Sequence, residues 1–408
     1  MTSQHYVSNS ANKTLRLMAA VFVLGFLAST SAAQKFKVLY RFTGKDDGAT
    51  PQASLIRDTQ GNLYGTTYRG GAFGYGVVFK LQPDGKEIPL HSFDGVDGQS
   101  PDGSLVRDAD GNLYGTTIYG GTSEGGACLH GCGTVFKVEP SGKTTKMYAF
   151  TGKADGSEPS GNLVLDAEGN LYGTTNFGGV LSYDCFYVGC GVVFKVDRTG
   201  RETVLHRFNT ANGDGSNPSG GVIRDDAGNL YGNTTYGGTN GVGTIFKLDA
   251  AGKETVLYNF IFEHEESPEG TLTRDVEGNL YGTTIGFNND GTLFELDTKG
   301  NETVLYTFDN QSVGFSPVAG VVRDASGNFY GTTARGGKPP CACGGVFKVD
   351  RKGQGKALYN FTGQVPNYQF TPAGVILDKA GNVYGTYPYG GSSIRCGHEC
   401  GFVYEITP

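Results

Sequence analysis

The chain of 408 residues contains no tryptophan, three methionines and only six histidines. No clustered run of lysine or arginine occurs anywhere, which removes the counter-charge that a nucleic-acid backbone demands. A His-Glu-x-x-His zinc motif and a Walker-type phosphate loop are both missing. Cys-x-x-Cys spacing is absent too, so a thioredoxin-like redox centre is excluded. Glycine is abundant at 67 residues but never recurs at every third position, which excludes a collagen-like helix. No amphipathic helical stretch of useful length follows the N-terminal segment. What remains is a chain rich in tyrosine (23) and phenylalanine (25), more aromatic than a disordered polymer.

The N-terminus reads as a processing signal. Lys13 and Arg16 precede an apolar stretch over 17–28, and Ser31-Ala32-Ala33 supplies the small residues of a cleavage site, so residues 1–33 are expected to be a signal peptide. The apolar stretch is too short for a helical membrane span, and a retained anchor is the weaker alternative. Losing Lys13 and Arg16 takes the formal charge from −7 to −9 for residues 34–408. Eight cysteines follow the signal, none of them next to Gln34, where a lipid-anchored protein would carry one. An even number of cysteines behind an export signal predicts disulfides in an oxidising compartment, outside the cell or in a periplasm.

One phrase organises the rest. Gly-Asn-Leu-Tyr-Gly-Thr-Thr starts at Gly61 and returns, intact or nearly so, at Gly111, Gly169, Gly228, Gly278, Gly327 and Gly381. Around it lie four short strand-like segments: Ala53-Ser54-Leu55-Ile56, the phrase itself, Val77-Val78-Phe79-Lys80-Leu81, and one resembling Val204-Leu205-His206-Arg207-Phe208. Turn residues such as Asp84-Gly85 join the last two. Four short antiparallel strands per unit of about fifty residues is the signature of a propeller blade. The chain begins with a lone fourth-type strand at 37–42 and ends with a third-type strand at 401–406. The expected fold is therefore all-β: a single seven-bladed β-propeller of four-stranded antiparallel blades over 34–408, closed by the N-terminal strand completing the last blade. An open stack or two smaller rings are the alternatives. The first-to-second and third-to-fourth turns are short and constant, whereas the other loops vary in length and carry every cysteine. A binding site is expected on that second, long-loop face.

Several residue sets could carry chemistry. Asp58, Asp108, Asp166, Asp225, Asp275, Asp324 and Asp378 precede the seven phrases, and turn capping explains them better than a metal ring does. Asp-Gly-x-x-Pro recurs from Asp47, Asp97, Asp155 and Asp214. A rigid strand lead-in is the plain explanation, and an acidic rim tolerating calcium is the functional one. No cofactor and no specific metal site is expected. Tyr68, Tyr119, Phe177, Tyr236 and Tyr389 stand near glycine pairs after the second strand. They either pack between blades or form a platform for sugars or an apolar peptide. Cys128 and Cys132, Cys185 and Cys190, Cys341 and Cys343, and Cys396 and Cys400 fall two to a loop. Local pairing is expected, with cross-pairing between the sixth and seventh loops as an alternative because Cys341-Ala342-Cys343 is awkward for a relaxed bridge. His264, Glu265 and Glu266 form the one irregular acidic cluster.

The recurring Gly-Asn-Leu-Tyr-Gly-Thr-Thr, the Gly-Gly after it, and the Val-Phe-Lys-Leu-like and Val-Leu-Tyr-x-Phe-like strands resemble the GloVer tandem-repeat family over nearly all of residues 35–407. The resemblance implies a secreted or cell-surface bacterial protein and carries over no catalytic residue. Members often carry a C-terminal anchoring segment. This chain ends at Ile406-Thr407-Pro408, so release is expected. The leading expectation is a monomeric, non-enzymatic extracellular binding or scaffold propeller that recognises a glycan or peptide. The alternative is a secreted carbohydrate-active enzyme, hydrolase or lyase, using channel or rim carboxylates.

Overall fold

In a computed structural model the described residues are 34–121, 128–181, 185, 188–261, 266–286, 291–309, 313–336, 343–362, 372–390 and 400–408. The expected signal peptide lies outside them. Each repeat folds as a four-stranded antiparallel blade. In blade one the strands run Ile56–Arg57, Leu63–Thr67, Val77–Leu81 and Glu87–Ser92, hydrogen-bonded in that order. Blades two to six repeat the order, with second strands at Leu113–Tyr119, Leu171–Phe177, Leu230–Thr234, Leu280–Gly286 and Phe329–Thr333. Blade seven comprises Ile376–Leu377, Val383–Tyr387 and Phe402–Thr407, and its fourth strand is Lys35–Arg41 from the other end of the chain. Lys35 pairs with Thr407 and Arg41 with Phe402, so the ring closes as the strand count predicts. No helix of the described residues is long and apolar enough to cross a membrane.

The repeated phrase has a packing reason at each letter. Gly65 leaves room for a ring: a Cβ there would come 2.8 Å from Phe79 and 2.9 Å from Leu55. Its equivalents Gly115, Gly173, Gly232, Gly282 and Gly331 face Phe136, Phe194, Phe246, Phe294 and Phe347 in the same way. Those phenylalanines are fully buried and meet an aromatic ring of the preceding blade edge-on. The seven pairs run from Phe42–Phe79 to Phe361–Tyr404, with centroids 4.8–5.5 Å apart. Edge-to-face geometry suits two π-systems whose faces repel. The core is thus seven clusters, each shared by neighbouring blades.

On the short-turn face the seven aspartates cap turns. Asp58 accepts from the Asn62 backbone N–H, from Asn62 Nδ2 and from Tyr64 Oη at 2.7–3.0 Å, and the other six repeat all three bonds. Burial raises each carboxyl, and these donors outweigh it, holding the group below its ordinary value. The preceding arginine reaches back over the tyrosine of the neighbouring blade, as Arg57 does over Tyr384 and Arg107 over Tyr64, at 5.6 and 6.0 Å.

Candidate functional site

The channel along the ring axis encloses about 300 Å³ between the first strands. Leu55, Leu105, Leu163, Leu272, Val321 and Val375 line it together with Ser54, Ser104, Asn162, Thr271 and Thr273, and no titratable side chain does. Carboxylates appear where the first strands begin, on the long-loop face, as well as in the capped turns at their far end.

The lead-in to each blade builds that mouth. Pro101 packs against Gly76 just before the third strand of the preceding blade, where a Cβ would come 2.6 Å from the proline. Pro51, Pro159, Pro218, Pro268 and Pro317 pack likewise on Gly401, Gly133, Gly191, Gly243 and Gly291. Immediately before the proline, Thr50, Ser100, Glu158, Asn217 and Ser316 all take φ of 55–59°. This left-handed backbone is costly for such residues. It is held by seam bonds: the N–H groups of Thr50, Ser100, Glu158 and Asn217 donate to Cys400, Tyr75, Cys132 and Cys190 of the neighbouring blade at 2.8–3.0 Å.

The residues after the seven prolines, one at the start of each blade, are Gln52, Asp102, Ser160, Ser219, Glu269, Val318 and Ala373. Neighbours among them touch. Gln52 Nε2 donates to Asp102 Oδ1 at 2.6 Å, and Ser219 Oγ donates to Glu269 Oε2 at 3.4 Å. Both residues are partly exposed while protein crowds their carboxyls. Desolvation pushes Asp102 up to about 6 and Glu269 up to about 7, each opposed only by its single neutral donor. Burial alone raises Glu158.

Two of the expected aromatics join this wall. Tyr119 neighbours Tyr68, and burial raises both hydroxyls. Burial first, then the charges of Glu158 and Asp102, pushes the Tyr119 hydroxyl up to about 12. Tyr68 directly follows Thr67, whereas Tyr119, Phe177, Tyr236 and Tyr389 come two residues after the matching position, so the five are not one repeated platform. Tyr236 is 45% exposed, Phe177 is half-buried, and Tyr389 is buried against Tyr387.

The four lead-in aspartates are engaged within their own loops. Asp47 accepts from Tyr40 Oη, Thr43 N and Thr43 Oγ1 at 2.7–2.9 Å, and Asp155 repeats this with Tyr148 and Thr151. Asp214 meets His206 Nε2 at 3.2 Å. Asp97 Oδ2 lies 2.6 Å from His91 Nε2, an ion-pair contact off the line of a good hydrogen bond. Among the described residues no three His, Cys, Asp or Glu side chains gather as a metal cluster would require.

Cys128–Cys132 and Cys185–Cys190 are the local disulfides expected, with Cα atoms 5.3 and 5.1 Å apart. Cys343 and Cys400 are disulfide-bonded as well, while Cys341 and Cys396 lie outside the described residues. So do His264 and Glu265; Glu266 opens the first strand of blade five. Gly121-Thr122-Ser123-Glu124-Gly125 has the spacing of a hydrolase nucleophile turn. It falls between two antiparallel strands rather than at the strand-to-helix turn such a nucleophile needs, and residues 122–127 lie outside the described set. Sequence reasoning missed Gln52, Asp102, Ser160, Ser219 and Glu269. The signal was there: the letter after the proline changes from blade to blade while its neighbours hold.

Fold and mouth together define a closed seven-bladed β-propeller with a polar, carboxylate-bearing opening on its long-loop face. More narrowly, residues 23–130, 117–286 and 266–408 match the Gloeobacter/Verrucomicrobia repeat, and the chain belongs to that family. No curated protein matches it. Among solved structures it is similar to the extracellular domain of a hybrid two-component system from B. thetaiotaomicron, with a TM-score of 0.54 and 14% identity over 91% of this chain. The match spans 41% of that longer chain. It is also similar to a gluconolactonase from Xanthomonas campestris, with a TM-score of 0.44 and 13% identity over 92% of this chain and 90% of the other. At these identities the likeness is one of fold alone.

Proposed function

We propose that this protein is secreted and works as a monomeric extracellular binding propeller, taking a glycan at the channel mouth of its long-loop face. The observation that carries the reading is the set of residues after the prolines. Amide–carboxylate and hydroxyl–carboxylate neighbours, Gln52 with Asp102 and Ser219 with Glu269, offer donors and acceptors at the spacing of vicinal sugar hydroxyls. Tyr68 and Tyr119 wall the same opening with rings that suit the apolar face of a sugar. The disulfides fit an oxidising compartment.

A hydrolytic reading draws on one observation, the raised carboxyls of Asp102 and Glu269. Glycosidase pairs stand roughly 5–9.5 Å apart. Carboxyls that close would feel each other's charge, yet neither of these is shifted by the other. Binding is therefore the better-supported reading.

The test is a polysaccharide array probed with and without calcium, read both for retention and for new reducing or unsaturated ends. Retention without product is expected, with Tyr119→Ala lowering affinity about tenfold. Product formation would replace the binding reading with the enzymatic one.

A further inference from the structure

At the seams, the residue that opens the fourth strand of one blade lies against the fourth strand of the blade before it. Gly355 shows the fit, since a Cβ there would come 2.6 Å from Tyr306 Oη. Phe36 holds the same register in blade seven and stacks on Tyr359 with centroids 3.6 Å apart. In blades one and three the position is Glu87 and Glu202, paired with Leu81 and Val196 at the end of the third strand. Their charges act on the rings of Tyr40 and Tyr148 in the preceding blades. Those two hydroxyls donate to the lead-in aspartates, Tyr40 to Asp47 at 2.9 Å and Tyr148 to Asp155 at 2.8 Å. Each of the two seams thus sets two carboxyls about one phenol.

The two carboxyls are not equally provided for. Asp47 also accepts from the N–H and hydroxyl of Thr43, and Asp155 from those of Thr151. Glu87 and Glu202 each keep one oxygen buried without a partner. Among the described residues no cation acts on Glu87, and Arg207 is the one that acts on Glu202. A carboxyl so placed is held neutral, because ionising it would set a second crowded negative charge beside the first. Burial, then the neighbouring aspartate, pushes Glu87 up to about 8 and Glu202 up to about 7, as that arrangement requires. Blade four carries Glu254 at this position, facing Asp214 and His206, and blade two carries the uncharged Thr144.

From this geometry we infer that the seams between blades seven and one and between blades two and three are proton-operated latches on the lead-in loops. With Glu87 and Glu202 neutral, Tyr40 and Tyr148 clamp residues 43–51 and 151–159 to the blade before. Once the glutamates ionise, two carboxylates meet at one phenol and the loops are released. The loops end at Pro51 and Pro159, which pack on Gly401 and Gly133, so release reaches the seam and the Gln52 and Ser160 that follow. Linkage fixes the sense. A closed loop that holds its proton more tightly than the open one is favoured in full below the ordinary glutamate value of about 4.3. That preference is lost as pH rises through the closed-state values of about 8 and about 7. The latch needs no ligand, so it stands apart from the glycan reading.

The experiment is amide hydrogen exchange of the full chain across a pH series, read as protection after correction for the pH dependence of exchange itself. The amides of Thr43, Ala49 and Thr50 report on the first lead-in, and those of Thr151 and Glu158 on the third. Their protection is expected to fall about tenfold between about pH 5 and about pH 8 and to level off above. The second strands Leu63–Thr67 and Leu171–Phe177 are expected to stay protected throughout, which also shows that each variant is folded. Glu87→Gln, which keeps the shape of the neutral carboxyl, is expected to remove the fall in the first lead-in and leave it in the third. Glu202→Gln is expected to do the reverse. Protection that does not change with pH, or a fall that survives in the substituted lead-in, overturns the latch. A fall shared equally by the second strands makes the event global unfolding and overturns it as well.

Discussion

At the residue scale the fold depends on single atoms that are missing. Gly65 and its equivalents exist so that a phenylalanine ring can lie where a Cβ would be. Gly65→Ala or Gly282→Ala is expected to cost about 1–3 kcal/mol, the usual range for overpacking, and a urea melt checks it. Charge works at the same scale, in two directions. Burial pushes Glu87 up to about 8 and Glu202 up to about 7, with Asp47 and Asp155 adding to it. One oxygen of each is buried and unpartnered. A folded state that holds those protons more tightly than the unfolded chain, with its glutamate pKa of about 4.3, gains stability that is fully present below that value. The gain is lost as pH rises through about 7 to 8. Asp58 and its six equivalents behave oppositely, stabilising above the unfolded value and losing that contribution as acid protonates them. The melting temperature is therefore expected to peak at mildly acidic pH and to fall toward neutrality and above. In a pH series of calorimetric scans, a Glu87→Gln, Glu202→Gln double variant should flatten the alkaline side; an unchanged slope would refute the assignment.

At the scale of elements, the N-terminal strand carries a disproportionate load. Phe42 is fully buried and packs edge-on against Phe79, so the closing strand supplies one of the seven ring pairs as well as a backbone ladder. Phe42→Ala is expected to cost about 3–5 kcal/mol, like any large core truncation. Removing residues 35–42 outright should abolish cooperative melting by circular dichroism. This element was legible in the sequence, because a lone fourth-type strand at one end and a missing one at the other can be counted without any geometry. The loops were less legible. Asp-Gly-x-x-Pro shows the turn and the proline, yet nothing in it reveals that the proline lands on a glycine of the previous blade. Nor does it show that the residue between them is forced to positive φ by a bond across the seam. Those facts belong to a partner strand some thirty residues away. For the same reason Asp47, Asp97, Asp155 and Asp214 read as a rim although their oxygens are turned inward, and nothing in the sequence marks that Asp102 and Glu269 accept from Gln52 and Ser219 of the preceding blade.

At the scale of the molecule, the first and last strands of the ring meet. Lys35 and Thr407 are paired neighbours, so a short linker could join the two ends and new termini could open elsewhere. A circular permutant opened at the Asp84–Gly85 turn keeps the same kind of closure, a fourth strand supplied from the opposite end. It is expected to fold with a melting temperature close to that of the parent, whereas a permutant opened inside a third strand should not fold.

The position that follows each lead-in proline changes from blade to blade while the proline itself stays. The proline before it grips the neighbouring blade and the strand after it pairs with its own. Seven such letters, glutamine, aspartate, serine, serine, glutamate, valine and alanine, stand beside the proline contacts and left-handed residues that keep the ring shut rather than among them. In the binding reading proposed above, specificity is set by spelling at this one position, on a scaffold that stays the same.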